Sequence, residues 1–263
     1  MPDLGRLPAA SRAALAEIVG RDDPAVLGVV LSGSAARGMA NEHSDVDVYV
    51  VLTEDAARGR VTARSAAVDE IPVTLAELEA PGALGTDDWW YRWSFACALV
   101  LRDETAGRVA EAVRRQASLE GDEQRAVLVD RLDGYVNLAY RALKAERDGR
   151  PLELRLDAAE SVTWWLDTVF ALSGRVRPYN KYLPWALREH PLGVPEWSAA
   201  VLLPLLERML DGDPAALRAA YAPVERECRA WDAAHGVTSA GDTIEGWAEQ
   251  ILLLREQDAP GLR

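Results

Sequence analysis

Several things are scarce in this chain of 263 residues. It holds only two cysteines, Cys97 and Cys228, far apart in sequence. That excludes a disulfide scaffold and a cysteine zinc site, and it leads us to expect a reducing, cytoplasmic setting. The three histidines, His43, His190 and His235, are scattered, so no histidine-based metal site is suggested. Lysine occurs only at Lys144 and Lys181; every other basic residue is arginine. No run of eighteen apolar residues occurs, and none of the length needed for a membrane-spanning helix is therefore expected. The opening stretch, MPDLGRLPAASRAALAEIVG, breaks its apolar residues with acids and arginines, unlike a signal peptide. Internal repeats and low-complexity tracts are absent as well.

What remains is ordinary globular composition, 49% hydrophobic and 27% charged, which excludes a disordered or collagen-like chain. The 29 basic and 42 acidic residues give a net charge of −13. Broad binding of nucleic acid through charge is disfavoured by that balance. A cationic small molecule fits it better, and so does a charge that serves only solubility.

The pattern changes partway along. Residues 1–118 mix short β-like runs with helices, whereas residues 119–263 read as helical almost throughout. The expected fold class is an α/β N-terminal domain, a small mixed sheet with helices, followed by a C-terminal all-α helical bundle. In the first part, a helix is expected over 9–19, and strands over 25–31, 45–52, 68–74 and 98–101. Pro72 points to an edge strand or a strand end. A further helix is expected around 104–117. In the second part, helices are expected near 123–147, 155–173, 180–190, 196–210, 213–234 and 243–256. Asp213-Pro214 has the form of a helix start, and Pro204 and Pro223 should kink or split the helices that contain them.

One stretch carries chemistry: LSGSAARGMANEHSDVDVYVVL, Leu31 to Leu52. A Gly-Ser pair, Gly33 and Ser34, follows a buried-type strand. Asp45 and Asp47 then open the next one. Residues two apart on a strand share a face, about 7 Å apart at a rise of about 3.3 Å per residue. Two such carboxylates are hard oxygen ligands suited to Mg²⁺, above all when substrate phosphates complete its octahedron. Gly33, lacking a Cβ, would let a phosphate approach the backbone, and Ser34 adds a hydroxyl beside the N–H groups of a helix start. Arg37, Ser44 and His43 stand close enough in sequence to join a triphosphate site. For Arg37 and His43 a merely solvated side chain is the competing reading.

This spacing resembles the signature of the nucleotidyltransferase superfamily with the DNA polymerase β-like fold: a Gly-Ser pair, a ten-residue gap (here Ala35 to Ser44), then Asp-x-Asp. The resemblance in motif spans Ala25 to Asp69. It implies two Mg²⁺ ions and a nucleoside triphosphate, most simply ATP, as co-substrate. Asp45 and Asp47 would be the metal ligands, with a third carboxylate on a neighbouring strand. Asp69 is the candidate, in VDEIPVTLAEL. Alternation groups Asp69 with Ile71 and Val73, and Glu70 with Val68 and Pro72, which leaves both acids open; the resemblance favours Asp69. It also implies that Asp69 accepts the proton of an acceptor hydroxyl that attacks the α-phosphate, releasing pyrophosphate. The first domain would be the catalytic one and the second would close over nucleotide and substrate.

The helical half narrows the choice. On RLDAAESVTWWLDTVFAL, Asp157, Glu160, Trp164 and Asp167 are spaced 3, 4 and 3 and share one helical face. That acidic, aromatic stripe suits a polycation, and it equally suits a solvated polar face. SGRVRPYNKYLPWAL is similar to the helical domain of aminoglycoside adenylyltransferases acting on streptomycin and spectinomycin. There a lysine after a Gly-containing turn meets the triphosphate, which implies that role for Lys181, seven residues after Gly174. The same resemblance makes Trp90, in DDWWYRWSF, a contact for the acceptor, whereas Asp157 and Glu160 are acceptor candidates by the charge of their stripe alone; packing is the competing reading for the tryptophans. The expected activity is therefore transfer of a nucleoside monophosphate, AMP from ATP, to a hydroxyl of a small, cationic acceptor. The rivals are an antitoxin-type enzyme that AMPylates a partner protein, and a nucleotide-binding regulatory module without turnover. No nucleic-acid or membrane partner is expected.

Overall fold

The computed structural model describes residues 4–255, and the chain divides into two compact units, Met1–Ser118 and Leu119–Arg263. Unit 1 runs α1 (Ala9–Val19), β1 (Val26–Leu31), α2 (Gly33–Ala36), β2 (Asp47–Leu52), α3 (Glu54–Ala57), β3 (Ala63–Arg64), β4 (Asp69–Thr74), α4 (Leu75–Glu79), α5 (Asp88–Phe95), β5 (Leu99–Asp103) and α6 (Arg108–Ala117). The strands form one mixed sheet in the order β3-β4-β2-β1-β5. β1 is antiparallel to β2 and β5, β2 is parallel to β4, and β3 is antiparallel to β4.

The valine-rich runs become the middle of this sheet because both faces are covered, which burial of apolar side chains on two sides requires. On one face Val29, Leu31, Val46, Val48 and Val50 pack with Leu15 and Ile18 of α1. On the other, Val30, Tyr49 and Val51 pack with Leu75, Leu78, Phe95, Val109 and Val113 from α4, α5 and α6. Two expectations shift in detail. β2 begins at Asp47 rather than at residue 45, so Asp45 lies in the preceding loop. β4 is not an edge strand, but its pairing with β3 reaches only Glu70, so Pro72 lies beyond it on a side that needs no partner strand. Thr74 then closes the strand and opens α4 through a capping box with Glu77.

Unit 2 holds α7 (Gly121–Arg147), α8 (Pro151–Leu172), α9 (Leu183–Glu189), α10 (Ala199–Leu210), α11 (Pro214–His235), α12 (Ser239–Glu245) and α13 (Leu252–Arg255). The expected final helix over 243–256 is instead two short helices and a 3-10 turn, with residue 256 outside the described residues. Asp213 caps α11 as its sequence suggests, accepting from the N–H groups of Ala215 and Ala216. Pro204 and Pro223 do not split their helices: α10 and α11 run through them as single elements. Each proline removes one backbone bond, and burial of the helix faces outweighs that local loss. Among the described residues, no helix is long and apolar enough to cross a membrane.

The pairing of α7 with α8 rests on a glycine and a tryptophan. A Cβ at Gly134 would stand 2.2 Å from the Trp164 ring, so only glycine lets that ring lie against α7. The Arg131 guanidinium covers the same ring at 4.7 Å. Close by, the buried Asp167 carboxylate accepts from Arg177 Nε at 2.6 Å and stands 3.7 Å from Arg131. Removing one partner of a buried pair strands the other charge. Asp167→Ala should therefore cost about 3–5 kcal/mol by urea unfolding followed by far-UV circular dichroism. A loss below about 1 kcal/mol would show that the pair is idle.

Candidate active site

The site is built where β1 ends and β2 begins. The chain leaves Leu31, turns through Ser32 and enters the single helical turn α2 at Gly33, whose φ is +63°. That left-handed backbone favours glycine. A second constraint is steric. A Cβ on Gly33 would stand 1.9 Å from a carboxylate oxygen of Asp47. The space is thus filled by the Asp47 carboxylate itself. In this structure the missing Cβ leaves room for the Asp47 carboxylate.

Backbone bonds fix this contact. Ser32 N–H donates to the Asp47 carbonyl at 2.9 Å, and Asp69 N–H donates to the Val46 carbonyl at 2.9 Å. In the parallel β2–β4 register, Asp47 faces Asp69 directly, and Tyr49 faces Ile71. Directly opposed residues present their side chains to the same face. Asp47 and Asp69 therefore share the face carrying Tyr49 and Ile71, and both are half-buried. Glu70 takes the opposite face, where Arg21 donates to both of its oxygens at 2.8 and 2.9 Å. These hydrogen bonds hold the Glu70 carboxyl below its usual range, against the opposing effect of burial. Fold geometry thus shows which of the two acids shares a face with Asp47. The charged neighbour of Asp69 is the exposed Arg64, at 3.6 Å.

Arg37 does a different job from the one expected. It is buried, 4% exposed, and donates to the carbonyl of Gly33 at 2.6 Å and to that of Ser94 at 3.2 Å, with a further bond to the Ala96 carbonyl. The Ser32 hydroxyl donates to the Ser94 carbonyl at 2.6 Å, and the Tyr49 hydroxyl lies 2.7 Å from the Ser94 hydroxyl. Arg37 is therefore a positioning residue that ties the Gly33 turn to the end of α5. Ser94, Ser32 and Tyr49 escaped the sequence reading. Their roles come from contacts between residues 45 or more positions apart, and only the four-residue step from Gly33 to Arg37 is visible locally.

The other candidates stand as follows. Ser34 is half-buried at the start of α2, ahead of its first backbone bond, from Ala36 N–H to the Ser32 carbonyl at 3.2 Å. Asp45 is exposed in the loop, and Ser44 closes a turn with Asn41, its hydroxyl accepting from Asn41 N–H at 3.0 Å. His43 is exposed in the same loop. Trp90 is exposed, its ring edge-on to buried Trp93 at 4.5 Å, while Trp89 and Trp93 point into the core. In unit 2, Lys181 is exposed on a 3-10 turn with its ammonium 4.8 Å from the Tyr182 ring. Glu160 is exposed, but Asp157 is paired with Arg141 at 3.0 Å and Asp167 is buried with Arg177. Two of the three acids of the α8 stripe are thus paired with arginines from other segments, Arg141 of α7 and Arg177 beyond the end of α8.

The donor set suits a hard cation without forming a finished cage. Among the described residues, no three or more His, Cys, Asp and Glu side chains gather at metal-binding distances. Of the three expected ligands, Asp47 and Asp69 are neighbours in the β2–β4 register, and Asp45 is exposed in the loop before β2. One or two carboxylates completed by substrate phosphates is the usual protein share of a Mg²⁺ site.

Two outcomes are expected. Gly33→Ala forces both a left-handed alanine and a collision with Asp47, and should lower stability by about 1–3 kcal/mol. In Asp47→Ala the collision is gone, so the same glycine change should cost less there; equal costs in both backgrounds, measured by urea unfolding, would refute the contact. The second concerns pH. Because Glu70 is held below its unfolded value, its contribution is complete above the unfolded-state carboxyl pKa of about 4.3 and is lost as pH falls through the folded value. Glu70→Gln should therefore cost roughly 0.5–1 kcal/mol at neutral pH, a difference that closes in acid.

Comparison with known proteins fits this geometry. Residues 12–81 match the family model described as the nucleotidyltransferase domain, a span that includes β1, α2, β2 and β4. Among solved structures, the chain is similar to a nucleotidyltransferase-like protein from Exiguobacterium sibiricum 255-15. That match is 11% identical, covers 90% of this chain and 89% of that one, and has a TM-score of 0.38, too low to carry an argument. The comparison with curated proteins finds no match. Gly33, Asp47 and Asp69 thus all lie within a segment matching the nucleotidyltransferase domain family, and nucleotidyl transfer in general is the activity this supports.

Proposed function

We propose that this protein transfers a nucleoside monophosphate, AMP from ATP, to a hydroxyl of a small acceptor. The observation that supports this reading best is the placement of Asp47 and Asp69 side by side on one sheet face, with the Asp47 carboxylate lodged against the Gly33 turn. Asp47, Asp69 and Asp45 would hold Mg²⁺, which would supply positive charge against the triphosphate. Asp69 accepts the proton of the acceptor hydroxyl. The acceptor oxygen forms its bond to the α-phosphorus, the bond from that phosphorus to the bridging oxygen breaks, and pyrophosphate leaves. Ser34 and the N–H groups that open α2 offer donors to phosphate oxygens. Arg37 acts only by holding the turn, so its loss should disturb stability as well as turnover. Positioning and fixed charge carry most of the work in such a reaction.

The test is Mg²⁺-dependent release of pyrophosphate from ATP, GTP, CTP and UTP, each offered with a panel of hydroxyl acceptors that includes aminoglycosides. Asp47→Asn and Asp69→Asn should each reduce turnover by roughly a thousandfold while the protein stays folded, as loss of a group that acts on the transition state does. Glu70→Gln should turn over like the unaltered protein, because its side chain faces away from the pair. Full activity in folded Asp47→Asn would overturn the assignment. The mass of the adduct identifies the acceptor, and an adduct on a protein instead of a small molecule would move it to AMPylation of a partner.

A further inference from the structure

A cleft of about 390 Å³ lies in unit 1 against the sheet face that carries Asp47 and Asp69. Tyr49 and Ile71, the next pair on that face in the β2–β4 register, both line it, and so does Val73, the next residue of β4 on the same side. At a rise of about 3.3 Å per residue, its floor begins about 7 Å from Asp69 along β4 and continues to about 13 Å. The facing wall holds Tyr91 of α5, which is 58% exposed, so a large aromatic ring stands open to a ligand there. The walls are fixed by buried donors. Gln116 bonds the Leu78 carbonyl at 3.0 Å and Arg92 bonds the Gly82 carbonyl at 3.3 Å, which holds the segment between α4 and α5 in place.

The two ends of the cleft differ. The last turn of α5 lies at the candidate active site, where the Ser94 carbonyl accepts from Ser32 and Arg37. Asp88 stands six residues earlier, about 9 Å back along the helix at a rise of about 1.5 Å per residue. Glu77 follows the end of β4 and is tied to Thr74 through one of its carboxylate oxygens. Both acids line the cleft, at the end remote from Asp47 and Asp69. Both are exposed, and among the described residues neither is in an ion pair. No lysine, arginine or histidine lines the cleft. It therefore runs from the paired aspartates, across an apolar and aromatic middle, to two open carboxylates.

We infer, resting on the transfer reaction proposed above, that this cleft receives the acceptor, and that the acceptor is an amine with a flat apolar body and a hydroxyl at its opposite end. The ammonium meets Asp88 and Glu77, the body lies between Tyr91 and the Ile71–Val73 floor, and the hydroxyl reaches Asp69. There the oxygen bonds to the α-phosphorus, its proton passes to Asp69, and pyrophosphate leaves with the broken bond. The volume and the lining, apolar walls with a few polar groups, are those of a small-molecule site, and an aromatic wall also favours a cation. Anionic acceptors are disfavoured by two carboxylates with no cation beside them.

Tyramine, with a phenol hydroxyl and an ammonium at opposite ends of a flat ring, is the probe, and 4-hydroxyphenylacetate is its anionic counterpart. Calorimetric titration of the full chain without nucleotide reads binding independently of turnover. Tyramine should bind at one site, about tenfold more tightly than 4-hydroxyphenylacetate. Tyr91→Ala should weaken tyramine by about threefold or more. Asp88→Lys, at an exposed position, should weaken tyramine and strengthen 4-hydroxyphenylacetate, a reversal that loss of the fold would not produce. No saturable binding of tyramine, or binding unchanged in both variants, would overturn the cleft as the acceptor site. With ATP and Mg²⁺, tyramine should gain AMP on its hydroxyl, an activity lost in Asp69→Asn although that variant still binds tyramine. Binding with the stated variant pattern but no turnover would overturn the transfer reading and keep the amine site. Turnover of other acceptors, unaltered in Tyr91→Ala and Asp88→Lys, would keep the transfer reading and overturn the cleft.

Discussion

The contact between Gly33 and the Asp47 carboxylate is the constraint on which the rest of the candidate site depends. A side chain at that position would collide with the Asp47 carboxylate where it lies, and Asp47 is the residue that faces Asp69 in the β2–β4 register. The contact is held from behind by Arg37, Ser32 and Ser94, whose bonds run to backbone carbonyls. Such an arrangement holds the turn beside the carboxylate through main-chain carbonyls. Reactions that depend on aligning a nucleophile with a phosphorus atom gain most from that kind of preorganisation.

Charge tells a different story in each unit. The chain carries a net −13, and a strong negative field invites a cationic partner. Yet the carboxylates of α8 on which that idea leaned are tied to arginines, Asp157 to Arg141 and Asp167 to Arg177. Trp164, the aromatic member of the same stripe, is spent on the seat made by Gly134 and on the Arg131 guanidinium. In unit 1 the acids sort by face instead: Glu70 is neutralised by Arg21, while Asp47 and Asp69 share the other side of the sheet. Net charge is a property of composition, and only the pairing pattern says which charges a ligand can meet.

Much of the architecture was legible because it rests on local periodicity. The alternating valines of 46–52, the Gly-Ser pair after a buried strand, and the helical rhythm after residue 119 all became elements near their expected bounds. The Asp213-Pro214 start works as written, since a cap involves only neighbours. The misreadings share a cause. Arg37, expected at the triphosphate or in solvent, is buried instead, because its carbonyl partners at Ser94 and Ala96 arrive from the end of α5 and the residue after it. Pro204 and Pro223 leave α10 and α11 undivided because propensity is local, whereas the packing that outweighs it is not.

The sequence by itself determined the two-part organisation, the strands and helices, and the residue types at the Gly33–Asp47 motif, because each follows from patterns within a few turns of chain. Tertiary structure alone decided which acid joins Asp47, what fills the missing Cβ of Gly33, and which charges cancel. Those outcomes depend on strand register and on contacts between distant segments. A one-residue change of register would exchange Asp69 for Glu70 with no change in the sequence. That is why the motif could be read from the chain and the geometry of its carboxylates could not.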